Sequence, residues 1–435
     1  MKENKTALIV GLALFATHFG AGNLIFPATL GYNAGDKWPI AVAGFSITAI
    51  VLAMLTFVVI CRFDGIGEEL CRDVGPRFAL LFVSVQFIAG GLLVGVPRTA
   101  SLCYELGVGY FLPNAPKLPV VVAFFALVVF LNWNKTNVMA KVGKYLTPFL
   151  VLMMLFIIGK GILDPVGTAV ERESAGLFRE SFIYGYQTLD ALAGISFAAS
   201  ILASIQAAGY PLGEKATYRV SRKCALVAGT CLLVIYGGLG WVGSTVSGVY
   251  PAGLDQTTLL RRIVEDVAGQ FGLGLLSAAI TLACITCGVG CVSGIAIFFE
   301  RVLGKWLSYR QVLIGVVTLQ GTLAMLTVKQ ITDLAMPLLL AIIPMGIYFV
   351  FLSLIRSKIA EKYRHNVYTW GAVGVGFVTI SQGVMEVLPI PALSALYQSL
   401  PLASVGMEWV AVGAAASLLG AAVVYLKEKK QTTNI

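Results

Sequence analysis

Phe15-Ala16-Thr17-His18-Phe19-Gly20-Ala21-Gly22-Asn23-Leu24-Ile25-Phe26-Pro27 lies inside an apolar run that begins near Thr6 and is long enough to cross a bilayer. Two glycines, an asparagine and a proline are poor choices for a continuous membrane helix. Backbone that leaves the helical ladder at membrane depth is tolerated only where protein buries it or where it lines a wet cavity. The stretch therefore reads as an unwound hinge, with the second half-helix starting at Asn23-Leu24.

The surrounding chain supports that reading. It has 435 residues, 58% of them hydrophobic and only 12% charged, with a mean hydropathy of +0.86. Soluble domains carry about 25% charge, so the class is an all-α polytopic membrane protein. The alternating pattern of a membrane β-barrel is absent. No cleavable signal is expected, because the first apolar run is too long and has no small-residue cleavage site.

Twelve spans are expected, near 6–30, 39–60, 78–96, 118–133, 143–163, 181–207, 224–246, 271–299, 311–328, 331–354, 367–387 and 406–426. With the N-terminus inside, one set of loops holds 22 of the 31 lysines and arginines, among them Lys135, Lys141 and Lys144. The positive-inside rule then places both termini in the cytoplasm, and a bacterial-type inner membrane is the expected location. The net charge of +9 is thus a topological signal, and nucleic-acid binding is not needed to explain it. The eight cysteines form no disulfide framework, and only Cys103 falls on the outside. Cys284, Cys287 and Cys291 share a helix face with no His or carboxylate beside them, the pattern of packing residues rather than metal ligands.

The sixth span contains Tyr184-Gly185-Tyr186-Gln187-Thr188-Leu189-Asp190. Asp190 sits about 13 Å into the span at 1.5 Å per residue, close to mid-depth. An ionisable group there costs about 2.5–3.5 kcal/mol on insertion scales and normally faces a cavity or a partner. It either binds a ligand or caps the amides of a broken helix. Interrupted spans one and six are five helices apart, and an odd-numbered repeat inverts in the membrane. Paired breaks in two inverted halves are the best sequence pointer to the site of a secondary transporter. The chain divides accordingly into a first repeat at 6–163, an inverted second repeat at 181–354 and two accessory helices at 367–426, together one transport domain.

A half-helix beginning at Asn23 exposes unpaired amides and the positive end of a dipole, which together bind a carboxylate. Carbonyls released around Ala16 to Phe19 suit Na+. Thr286 either offers its hydroxyl to a hard cation or bonds back to a carbonyl one turn earlier. Gly288-x-Gly290 is mid-membrane and not a nucleotide fingerprint. Pro97 is expected to break the third span near the outer surface, with Arg98 as an outer gate charge or an interfacial anchor. Pro337 and Pro344 mark kinks or a gate in the tenth span. His18 either relays protons or packs as a hydrogen-bonded residue. Ionisable residues are too scattered for an enzyme, and no HExxH, P-loop or serine-nucleophile motif occurs.

The segments Phe19–Pro27, Pro97-Arg98-Thr99-Ala100, Gly185–Asp190, Ala283-Cys284-Ile285-Thr286 and the Pro337/Pro344 run resemble the signatures of the branched-chain amino acid:cation symporter family, over essentially the whole chain. The resemblance implies twelve helices, the leucine-transporter-type 5+5 inverted-repeat fold with broken helices 1 and 6, and uptake of leucine, isoleucine and valine with Na+, or with H+ in some relatives. It implies a Na+ site from the carbonyls of Ala16, Phe19 and Ala283 with the Thr286 side chain. Cys287 stands where a second hydroxyl is frequent, His18 at a usually apolar position, and Leu92 where many members carry proline. The substrate is then expected on Gly20, Ala21, Gly22, Asn23, Thr188, Asp190, Gly194 and Ser196. No organic cofactor, nucleic acid or obligate protein partner is expected, only substrate, coupling ion and lipid bilayer. A proton-coupled transporter of another small neutral amino acid is the alternative, with a membrane-embedded receptor or enzyme as a more remote one.

Overall fold

A computed structural model describes residues 2–133, 138–251 and 253–433; Lys135 lies outside them, as do the side chains of Lys2, Ala21, residues 138–147, Thr432 and Thr433. No strand occurs among the described residues. In chain order the helices are α1 (Lys2–His18), α2 (Ala21–Ala34), α3 (38–61), α4 (Pro76–Phe111), α5 (Lys117–Asn132) and α6 (Val138–Leu163). They continue as α7 (Leu177–Tyr184), α8 (Asp190–Ala207), α9 (Lys215–Thr245), α10 (Gln256–Leu303), α11 (Tyr309–Leu323), α12 (Val328–Ile355), α13 (Glu361–Val387), α14 (Pro391–Gln398) and α15 (Glu408–Thr433). Among the described residues seven helical stretches are long and apolar enough to cross a membrane. Large apolar side chains such as Phe130, Phe271 and Leu418 stand more than 70% exposed, as expected of a surface that faces lipid.

The first break falls earlier than the sequence predicts. Phe19 N closes the last turn of α1 on Phe15 O at 2.8 Å, and Gly20 then takes extended backbone (φ −102°, ψ −166°) before α2 starts at Ala21. Pro27 does not mark the break. It lies in the second turn of α2, where the amide that it lacks would have bonded to the carbonyl of Asn23. The second break is at Leu189, whose left-handed φ of +67° ends a tight turn over Gly185–Thr188 and redirects the chain into α8. Leucine is strained there, and such strain persists only where the surroundings over-determine it.

The third span is continuous, against expectation. π-helical turns over Phe87–Gly95 and Cys103–Val108 lie inside α4, and Pro97 follows the first of them without ending the helix. A wide turn before proline relieves its clash and its missing donor. The carbonyl of Gly91, which accepts the Val96 amide across the wide turn, also accepts from Gln320 Nε2 on α11 at 3.3 Å. Cys103 is buried within this helix.

Close backbone contact holds the centre together. A Cβ on Gly31 would stand 1.8 Å from Gly240 O, and one on Gly243 would stand 2.1 Å from Ala28 O, so α2 and α9 touch main chain to main chain. A Cβ on Gly185 would lie 1.8 Å from Thr48 Oγ1, and Thr48 donates to Phe182 O at 2.9 Å, which fastens the second break to α3. Small residues permit this approach where lipid gives no hydrophobic drive for helix pairing. Glu3 meets Lys223 at 3.1 Å, Asp73 meets Arg356 at 2.7 Å and Arg301 pairs with Glu68. These ion pairs join segments that the sequence assigns to a single side.

Candidate functional site

The two breaks meet. Asn23, in the first turn of α2, is 1% exposed, and its Nδ2 donates to Asp190 Oδ2 at 2.7 Å and to His18 O at 2.8 Å, with Tyr236 OH of α9 also beside it. Asp190 is the first residue of α8, where a carboxylate complements the positive helix end. Its amide donates to Thr188 Oγ1 at 3.2 Å, and Thr188 Oγ1 donates to Gly185 O at 2.9 Å. The starts of both second half-helices are therefore tied to each other by a buried side-chain bond. Deleting either member would remove a buried hydrogen bond between the two breaks.

Beside this tie lies a cavity of about 100 Å³. α1, α2, the second break with α8, the π-helical stretch of α4 and the middle of α10 all contribute to its wall. Of the residues expected to hold substrate, Gly20, Gly22, Asn23, Thr188, Asp190 and Ser196 line it. Ala21 opens α2 between them, its side chain outside the described residues. Gly194 does not reach the cavity. A Cβ there would stand 3.0 Å from Ala53 O and Phe57 N, so this glycine packs α8 against α3. The apolar part of the wall comes from Phe87, Leu192, Phe197 and Ile295, and glycines 90, 91, 95, 290 and 294 keep it open.

Of the residues expected at a cation, only Cys287 lines the cavity. Its Sγ is 3.9 Å from Cys291 Sγ, and a Cβ on Gly20 would come within 3.7 Å of it. Thr286 Oγ1 donates to Ala283 O at 2.8 Å, the back-bonded geometry weighed from the sequence. The hydroxyl oxygen keeps lone pairs for a hard cation in that geometry. The buried Phe19 stacks on Phe15 with centroids 5.0 Å apart, and Ala16 is half-buried in the last turn of α1. The carbonyls past the last helical bond of α1 are released from the ladder, as Na+ coordination requires.

Sequence reasoning misplaced or missed three polar groups here, Arg98, Gln86 and Tyr236, while His18 lies in the hinge as expected. Arg98 is 3% exposed and lines the cavity, so it is not an interfacial anchor. Its Nη1 donates to Gln187 O at 2.5 Å, and its guanidinium lies 5.4 Å from the ring centre of Phe26. His18 Nδ1 donates to Leu14 O at 3.0 Å, which leaves Nε2 as a buried acceptor with no partner in the cavity wall. Gln86 also lines the cavity with both side-chain polar atoms unpartnered. Tyr236 and Gln86 carried no signal in the sequence beyond being polar residues in apolar runs.

Comparisons with known proteins agree along the whole chain. Residues 3–427 match the family described as branched-chain amino acid transport protein. The branched-chain amino acid permease BraB of Bacillus subtilis (strain 168) is 30% identical over 99% of this chain and 98% of its own. The permease BrnQ of the same organism is 29% identical over 95% of each chain. Among solved structures, a Na+-coupled sialic acid symporter in a substrate-bound outward-open state aligns at a TM-score of 0.60, 14% identity, and coverage of 95% and 90% of the two chains. The inward-facing conformation of Mhp1 aligns at 0.58 and 13% identity, over 97% of this chain and 90% of that one. At such identities the structural likeness speaks for a shared fold alone.

Proposed function

Because the chain belongs to the branched-chain amino acid transport protein family, as a membrane transporter rather than an enzyme, we propose that it is a secondary symporter importing leucine, isoleucine and valine with Na+. The observation that carries the proposal is the meeting of the two helix breaks, through Asn23 and Asp190, at one cavity with an apolar wall. The cavity takes the aliphatic side chain, and the amides at the start of α2 receive the carboxylate. Thr188 and Asp190 form the opposite wall, and a cation sits beside Ala16, Phe19, Ala283, Thr286 and Cys287. Alternating access moves the half-helices across the Asn23–Asp190 tie, with Gly20 and Leu189 as the hinges. One methylene in an apolar pocket is worth about 1–3 kcal/mol, so leucine, isoleucine and valine should compete with one another.

Grouping α1 with α2 and α7 with α8, and setting aside α14, gives twelve crossings with both termini in the cytoplasm of an inner membrane. The cavity is then lined by spans 1, 3, 6 and 8. A 5+5 inverted repeat relates span 1 to span 6 and span 3 to span 8, so a central site drawing on these two pairs is what the repeat expects.

The partnerless Nε2 of His18 favours a second reading, coupling to H+. Flux of labelled leucine into vesicles, competed by isoleucine and valine, tests the substrate. Binding without flux would make the chain a receptor. Uptake driven by pH and lost in His18→Phe would replace Na+ by H+.

A further inference from the structure

We propose that Arg98 meets the substrate's carboxylate, so that the anion is held between a guanidinium and the start of α2; this rests on the amino-acid reading above. Two positive features converge at Gly22. A Cβ on that residue would stand 3.2 Å from Arg98 Nη2, so the guanidinium lies against the first turn of α2. That turn is the positive end of a 14-residue helix, and its N-cap residue, Gly20, supplies no side-chain bond to the free amides. A cation beside a helix N-terminus is unfavourable unless an anion shares the site.

Among the described residues the protein places no anion in contact with Arg98. Arg98 is 3% exposed, and among the described residues no carboxylate stands within 4.0 Å of it. Asp190, the acid on the same cavity, directs Oδ2 to Asn23 and attracts Arg98 only from beyond hydrogen-bond distance. Arg98 spends Nη1 on Gln187 O, and its Nε, buried in the cavity wall, has no acceptor. A buried charge with no counter-ion hydrogen-bonded to it costs several kcal/mol and is kept only where something repays it. A carboxylate has two oxygens, enough to take the Nε edge of the guanidinium and the α2 amides together. The contact of Arg98 with Gln187, two residues before the Leu189 hinge, also means that the bound anion is read by both breaks.

The test titrates the full-length protein in nanodiscs with leucine and with leucinamide, which lacks the carboxylate, in wild type and in Arg98→Gln. Truncating one partner of a buried hydrogen-bonded charge pair should lower the preference for leucine over leucinamide by about 30-fold or more. An unchanged preference in a variant that still binds leucine would assign the carboxylate to the α2 amides alone and overturn the proposal. If Arg98→Gln does not fold, Arg98→Lys is read in the same way. It keeps the charge and loses the fork, so its preference should fall in the same direction, and an unchanged one overturns the proposal. A wild type that binds neither compound would refute the amino-acid reading itself, and this proposal with it.

Discussion

If the Asn23–Asp190 bond couples the two helix breaks, removing it should weaken the fold by an amount that the contacts set. The Asn23 amide carries two hydrogens, and its contacts to Asp190 Oδ2 at 2.7 Å and His18 O at 2.8 Å are those of ordinary length. A buried hydrogen bond to a charged group contributes about 1.5–3 kcal/mol and one to a neutral group about 1 kcal/mol. Asn23→Ala should thus cost about 2.5–4 kcal/mol, a large effect for one side chain in a site only 1% exposed. The informative quantity is the coupling. Asn23→Ala, Asp190→Ala and the double variant, unfolded with SDS from mixed micelles, form a cycle. The double variant should be more stable than the sum of the single losses predicts by about 1.5–3 kcal/mol. A coupling energy below about 0.5 kcal/mol, the level of independent sites, would refute the tie between the breaks.

Three further outcomes follow from the geometry. Gly31→Ala drives a methyl into Gly240 O, a backbone atom that cannot rotate away, and should destabilise the protein by about 3 kcal/mol, read as lost folded yield and a lower melting temperature. Thr286→Ala removes the hydroxyl proposed for Na+ while its back-bond to Ala283 is of the dispensable kind. The Na+ concentration for half-maximal uptake should rise about tenfold, worth about 1.4 kcal/mol, and normal Na+ dependence would remove this ligand. Cys287→Ser exchanges a soft sulfur for a hard oxygen and should lower the same Na+ requirement, whereas a higher requirement would count against Cys287 as a cation neighbour.

Much of the fold was legible because the bilayer restricts the choices. Apolar runs of crossing length and two paired interruptions were enough to anticipate helices broken near Gly20 and Leu189. The details that escaped are three-dimensional. Pro27 looked like a breaker, yet it is accommodated inside α2, where the close approach of α9 at Gly31 supports the backbone. Pro97 looked like a helix end, but a π-helical turn absorbs it, and nothing in the local sequence reports a register change of that kind. Arg98 read as an outer gate charge or an interfacial anchor because it follows an expected helix end; once α4 continues, the charge is buried at the cavity and the anchor reading falls. Gly194 illustrates the opposite error, since a glycine near a break serves packing as readily as binding. The Asn23–Asp190 contact spans 167 residues, so no local pattern could pair them.

The most direct test of the account is uptake of labelled leucine by proteoliposomes with an imposed Na+ gradient, an imposed H+ gradient, or neither. Accumulation above equilibrium with the inward Na+ gradient, abolished by Na+ ionophore and competed by isoleucine and valine, is the predicted result. Leucine flux that ignores the Na+ gradient would contradict Na+ symport.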